Sequence, residues 1–102
     1  MAVTAQSTYA LTPPGAQASG SWRAFSQSNY TGLDTTFSGD VGQCRYVGDN
    51  WNDKVRSAKS SSATTRVELW EHSNCTGYAI TIDGSGYYNI GAWVSGYKVT
   101  AP

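Results

Sequence analysis

The chain has 102 residues, enough for one domain with a modest core and too few for two. Seven Lys and Arg balance seven Asp and Glu, so composition offers no electrostatic case for binding nucleic acid or an anionic membrane. No apolar run approaches the roughly eighteen residues of a membrane helix, and abundant Gly, Ser, Thr, Tyr and Trp beside scarce Leu, Glu and Lys favour strands and turns.

In chain order, residues 1–21 read as an extended arm, rich in Ala, Thr, Gln, Ser, Gly and Pro and without a sustained apolar period. Pro13 and Pro14 exclude a helix through that point. The start, "MAVTAQSTYALTPPG", lacks the basic and apolar segments of a signal peptide. A mature form with an added Met1, or a route other than conventional secretion, is therefore expected. An arm of this composition orders only against something else, whether its own domain, another copy or a larger assembly. Pro13 and Pro14 are its candidate contact residues.

Residues 22–102 form the expected domain, and they contain a duplication. "FSQSNYTGLDTTFSG" (25–39) aligns with "WEHSNCTGYAITIDG" (70–84) at a constant offset of 45 positions. Ser28, Asn29, Thr31, Gly32, Thr36 and Gly39 face Ser73, Asn74, Thr76, Gly77, Thr81 and Gly84, and Phe25 faces Trp70. With small gaps "YVG" (46–48) then faces "NIG" (89–91), and "DKVRSAK" (53–59) faces "AWVSGYK" (92–98). The repeats span about 22–60 and 66–100.

Each repeat reads as β. "TRVELWE" alternates inward Val67 and Leu69 with polar Arg66 and Glu68, "HSNCTG" is a turn, and "YAITI" is the next strand. "WVSGYKV" is a later strand interrupted by Gly96. Short strands with Gly, Asn and Ser turns, in two copies, predict an all-β fold, a small Greek-key β-sandwich preceded by the arm. Trp70 and most of the Tyr are expected to fill its thin core.

These residues resemble the βγ-crystallin domain. Trp70 through Gly77, and Phe25 through Gly32, resemble its opening aromatic strand and Gly-containing hairpin, while "NDKVRS" (52–57) resembles its closing segment. The resemblance extends to small actinobacterial proteins of crystallin-like fold, among them metallopeptidase inhibitors. It implies a hairpin Gly at φ > 0, with the aromatic packed over the turn. It also implies a calcium site drawing ligands from both copies. Asn52, Asp53 and Ser57 match the closing pattern, but Arg56 stands where a hydroxyl ligand belongs, and the second copy has Gly91 and Ala92 in place of Asn or Asp. Asp53 with Ser95 is the metal site that remains; otherwise these side chains close turns. No other cofactor is expected.

Glu71, His72 and Cys75 lie close together, but the residues facing them in the first copy are Ser26, Gln27 and Tyr30, so the reactive types are not part of the repeat. Zinc would need three or four Cys or His ligands, and the chain has three such residues in all. Glu71 and His72, adjacent on a strand, are expected to point to opposite faces. No nucleophile elbow or phosphate loop is present, the carboxylates lie mostly in turns, and the chain is expected not to be an enzyme. "NYT" and "NCT" match the glycosylation pattern, but their recurrence marks them as hairpin parts. Cys44 and Cys75 occupy non-equivalent places, and their pairing stays open. Trp51, Tyr87 and Tyr88, in loops, are the candidate contact residues of the domain.

The expected function is a non-enzymatic binding module that docks through its arm on a protein partner, a larger assembly or other copies of itself. A decoration protein of a phage capsid, on the virion surface, is the leading form. The alternatives are a secreted, extracellular bacterial peptidase inhibitor and a carbohydrate-binding or antimicrobial module.

Overall fold

A computed structural model describes residues 18–102. Pro13, Pro14 and the rest of the arm up to residue 17 lie outside the described residues. Strand β1 (Ser19–Gln27) begins within the segment read as arm. It is followed by β2 (Thr31–Asp40), β3 (Cys44–Tyr46) and β4 (Ser57–Ser60) of the first repeat. The second repeat supplies β5 (Arg66–Trp70), β6 (Ala79–Ile82) and β7 (Gly96–Ala101). The architecture is all-β, and no helix long and apolar enough to cross a membrane occurs among the described residues.

Two sheets form, ordered β2-β1-β4 and β3-β7-β5-β6, with all pairs antiparallel. The third strand of each repeat crosses to the other repeat's sheet. β3 pairs with β7 through Cys44↔Lys98 and Tyr46↔Gly96. Reciprocally, Tyr87 makes a two-way bridge with Ala58 beside β4. The exchange continues in matched hydrogen bonds: Val47 N donates to Ser95 O (2.9 Å) and Ile90 N to Arg56 O (2.7 Å). Likewise Arg56 N donates to Phe25 O and Ser95 N to Trp70 O, both at 2.9 Å. Each pair joins positions that the sequence repeat equates, so the duplication is a pseudo-twofold of the backbone.

Alternate residues enter the core, as strand geometry requires. Trp22 and Ala24 of β1, Val67 and Leu69 of β5, Ile82 of β6, and Tyr97 and Val99 of β7 are buried, with Val47, Val55, Ile90 and Val94 from the connections. Burying each large apolar side chain contributes about 1.5–3 kcal/mol. The ring of Trp22 packs against Phe37 and Tyr97 at 4.9 and 5.3 Å between centroids, and its Nε1–H has no acceptor among the described residues.

The expectation that Trp70 and most Tyr form the core is corrected. Trp70 follows Leu69, so it stands on the outer face, where its Nε1–H donates to Glu68 Oε1 at 3.1 Å. Among the described tyrosines only Tyr97 is buried; Tyr46, Tyr78, Tyr87 and Tyr88 are exposed. β7 also begins at Gly96 and is not interrupted by it.

Candidate functional surface

The two hairpin tips are built alike. Gly32 and Gly77 have φ of +83° and +88°, and Tyr30 and Cys75, which face each other in the repeat, have φ of 58° and 60°. Ser26 Oγ accepts the N–H of Leu33 at 2.8 Å, and at the equivalent place Glu71 Oε1 accepts the N–H of Tyr78 at 3.1 Å. Glu71 is thus the hairpin acceptor of the second copy. Its carboxylate also lies 3.8 Å from His72 Nε2, contrary to the expected opposite faces, because β5 ends at Trp70 and the turn no longer alternates. Asn29 and Asn74 serve the tips as well: Asn29 N donates to Tyr88 O, and Asn74 Oδ1 accepts from Thr76 Oγ1.

The tips differ in how they are fastened. Ser57 Oγ donates to Gln27 O (2.7 Å) and accepts from Tyr30 N (2.9 Å). The matching residue in the second copy is Gly96, where a Cβ would lie 2.6 Å from His72 O. That tip is held covalently instead, by a disulfide between Cys75 and Cys44 of β3 with Cα atoms 6.0 Å apart. The bond occupies the thiol that a Cys–His pair would need.

The closing segments bring Asp53 and Ser95 together. Ser95 Oγ donates to Asn52 Oδ1 at 2.5 Å and lies 3.5 Å from Asp53 Oδ1. Asp53, in left-handed backbone with φ 60°, is anchored by its N–H to Val94 O at 3.0 Å. An open cavity of about 380 Å³ here is lined by Asp53, Glu71, His72, Trp93 and Ser95. This half fits a hard cation in part, since it offers neutral and anionic oxygens from both copies. Its pseudo-twofold counterpart would need oxygens from Arg56 and Ala92 and does not fit. The described residues hold no group of three or more His, Cys, Asp or Glu placed to bind a metal. Glu71 was missed from this locus because the sequence alignment paired it with a serine, although both supply an oxygen acceptor.

Aromatic side chains gather on the second repeat. Tyr78 and Trp93 meet edge to face at 4.9 Å, and with Tyr87, Ile80 and Asn89 they line a cavity of about 210 Å³. Tyr88 beside them is 64% exposed. Trp51 lines a different groove with Leu33 and Lys54 and packs edge-on against Phe37 at 6.3 Å. Tyr87 is therefore joined by exposed Tyr78, which the strand pattern alone did not single out, and by half-buried Trp93, which also packs against the core.

Known structures share this fold. The βγ-crystallin domain of Abundant Perithecial Protein from Neurospora crassa, in its Ca2+-bound form, matches with a TM-score of 0.65 and 25% identity over 80% of this chain and 89% of that one. A βγ-crystallin domain from Flavobacterium johnsoniae matches at 0.58 and 23% identity, covering 78% of this chain and 93% of the other. A βγ-crystallin from an archaeon matches at 0.59 and 22%, covering 78% and 96%. No curated protein sequence matches. A sequence model for peptidase inhibitor family I36 matches residues 19–82, more than half of the chain.

Proposed function

The chain belongs to peptidase inhibitor family I36, and from that membership we propose that it is an extracellular protein that inhibits a peptidase by stoichiometric, non-covalent binding. The family match, running from β1 through β6, is the observation that carries this reading. The Cys44–Cys75 bond supports an oxidising compartment. Inhibition by occupancy requires only a rigid surface complementary to the enzyme's cleft, and the cluster of Tyr78, Tyr87, Tyr88 and Trp93 supplies aromatic anchors on a disulfide-braced repeat. The family match favours the inhibitor over the capsid-decoration reading, which no finding supports and whose docking arm lies mostly outside the described residues.

The test is titration of metallopeptidases first, as the resemblance suggests, and then serine and cysteine peptidases. The expected result is a linear loss of activity reaching zero at one inhibitor per enzyme, weakened about tenfold or more by Tyr88→Ala or Trp93→Ala. Absence of inhibition across the three classes at micromolar protein would reject the reading.

A second proposal concerns calcium, favoured by the convergence of Asn52, Asp53 and Ser95. These three would hold the ion, with Glu71 at the edge of the same cavity. A bound ion would crosslink the closing segments of the two repeats.

A further inference from the structure

The outer face of the sheet β2-β1-β4 carries an unusual row. Register places Thr36, Arg23 and Lys59 side by side across the three strands. Two cations directly opposite each other on neighbouring strands repel. The fold moderates this only in part. Arg23 Nη2 lies 2.9 Å from Asp34 Oδ2, and Lys59 Nζ sits 5.1 Å from the centroid of the Tyr30 ring, with no carboxylate paired to it among the described residues. Asp34 leaves the group with a net positive charge, on a chain whose total formal charge is zero. Above the row is an open cavity of about 470 Å³, lined by Arg23, Lys59, Phe25, Tyr30, Thr36 and Ser61. Phe25 and Tyr30 meet edge to face at 5.7 Å, and Ser61 Oγ accepts a hydrogen bond from Ser21 Oγ at 2.7 Å.

We propose that this face binds an acidic glycan, a uronic-acid sugar whose carboxylate lies between Arg23 and Lys59. Charge complementarity selects the anion, because a carboxylate offsets the positive charge that Asp34 leaves unmatched at Lys59. The neighbouring rings offer an apolar surface for a pyranose, and the Thr36 and Ser61 hydroxyls can exchange hydrogen bonds with its hydroxyls. An acidic peptide fits less well. The cations lie over the face of the sheet, on β4 and on β1, which is hydrogen-bonded on both sides. A ligand above them therefore meets side chains and not the outer edge of β2, where a peptide strand could add.

The experiment is calorimetric titration of the full chain with oligogalacturonate, with neutral galacto-oligosaccharide and poly-Glu as comparators, at low and at physiological salt. The uronate is expected to bind one to one and more weakly as salt rises. Lys59→Gln and Arg23→Gln should each weaken it about tenfold, the loss of one charge-assisted hydrogen bond. Lys54→Gln, on the groove beside Trp51, should leave it unchanged. Removing one of two like charges should leave the melting temperature of Lys59→Gln unchanged or raised, which separates loss of binding from loss of fold. No heat with the uronate, equal binding in Lys59→Gln, or equal binding of the neutral sugar or of poly-Glu would overturn the proposal. Peptidase inhibition is scored separately and does not depend on the outcome.

Discussion

Gly77 sits in left-handed backbone, and a Cβ there would lie 2.7 Å from both Glu71 Oε1 and His72 Cδ2. Gly32 has the same constraint, with Ser26 Oγ and Gln27 Cγ in the equivalent places. Strain and crowding add, so Gly77→Ala is expected to destabilise by about 1–3 kcal/mol, measured by chemical denaturation. Glu71→Gln, which keeps an oxygen for the Tyr78 N–H, should cost less than Glu71→Ala, which leaves that N–H to water. Equal losses in the two would count against the hairpin role of Glu71. The glycines were legible in the sequence because the repeat equates them. The function of Glu71 was not, because Ser26 and Glu71 share only an oxygen acceptor, which alignment by residue type does not register.

At the scale of the element, β3 is three residues long, lies at the edge of its sheet and has all its side chains exposed. Its bond to the β5–β6 tip closes a loop with a sequence separation of 31, worth about 3–4 kcal/mol through restriction of the unfolded chain. Reduction, or Cys44→Ser with Cys75→Ser, is expected to lower stability by that order and to speed amide exchange in β3 before β1 or β5. A reduced protein with unchanged denaturation midpoint would show that the hydrogen bonds to β7 suffice. The strand pattern predicted β5 and β6, where alternation is plain. The pairing of Cys44 with Cys75 was not legible, because the crossing of β3 to the other repeat's sheet brings together positions that the repeat does not equate.

The two sheets also communicate through Tyr97, whose hydroxyl donates to Ser38 O of the opposite sheet at 2.6 Å. Burial pushes its pKa above the ordinary tyrosine value, against the opposing influence of Arg45. Since the folded value is raised, the contribution of neutral Tyr97 is complete below the unfolded pKa and is lost as pH rises through the folded one. Unfolding should therefore become easier at strongly alkaline pH, and Tyr97→Phe should flatten that decline while lowering stability at neutral pH. Denaturation midpoints across the alkaline range give the check; a decline of equal steepness in the variant would assign it to other groups.

The described domain as a whole is a pseudo-twofold pair whose halves have diverged at the same places. Where one closing segment offers Asn52 and Asp53, the other offers Gly91 and Ala92; where one offers Ser95, the other offers Arg56. Because each proposed cation position would draw on both segments, these substitutions would remove one position while leaving the other the oxygens of Asn52, Asp53 and Ser95. One ion per chain is therefore the most this scaffold should hold, with the weak affinity, about 10⁻⁴–10⁻³ M, of extracellular calcium modules. An ion bound only to the folded state raises its stability, so the melting temperature should climb with calcium across that range and fall back with chelator. Asp53→Ala should abolish the rise, whereas Arg56→Ser, which restores a hydroxyl but not the missing Asn or Asp across from it, should add no second step. A melting temperature indifferent to millimolar calcium would instead assign Asn52, Asp53 and Ser95 to turn closure, with hydrogen bonds and no ion linking the two closing segments at this point.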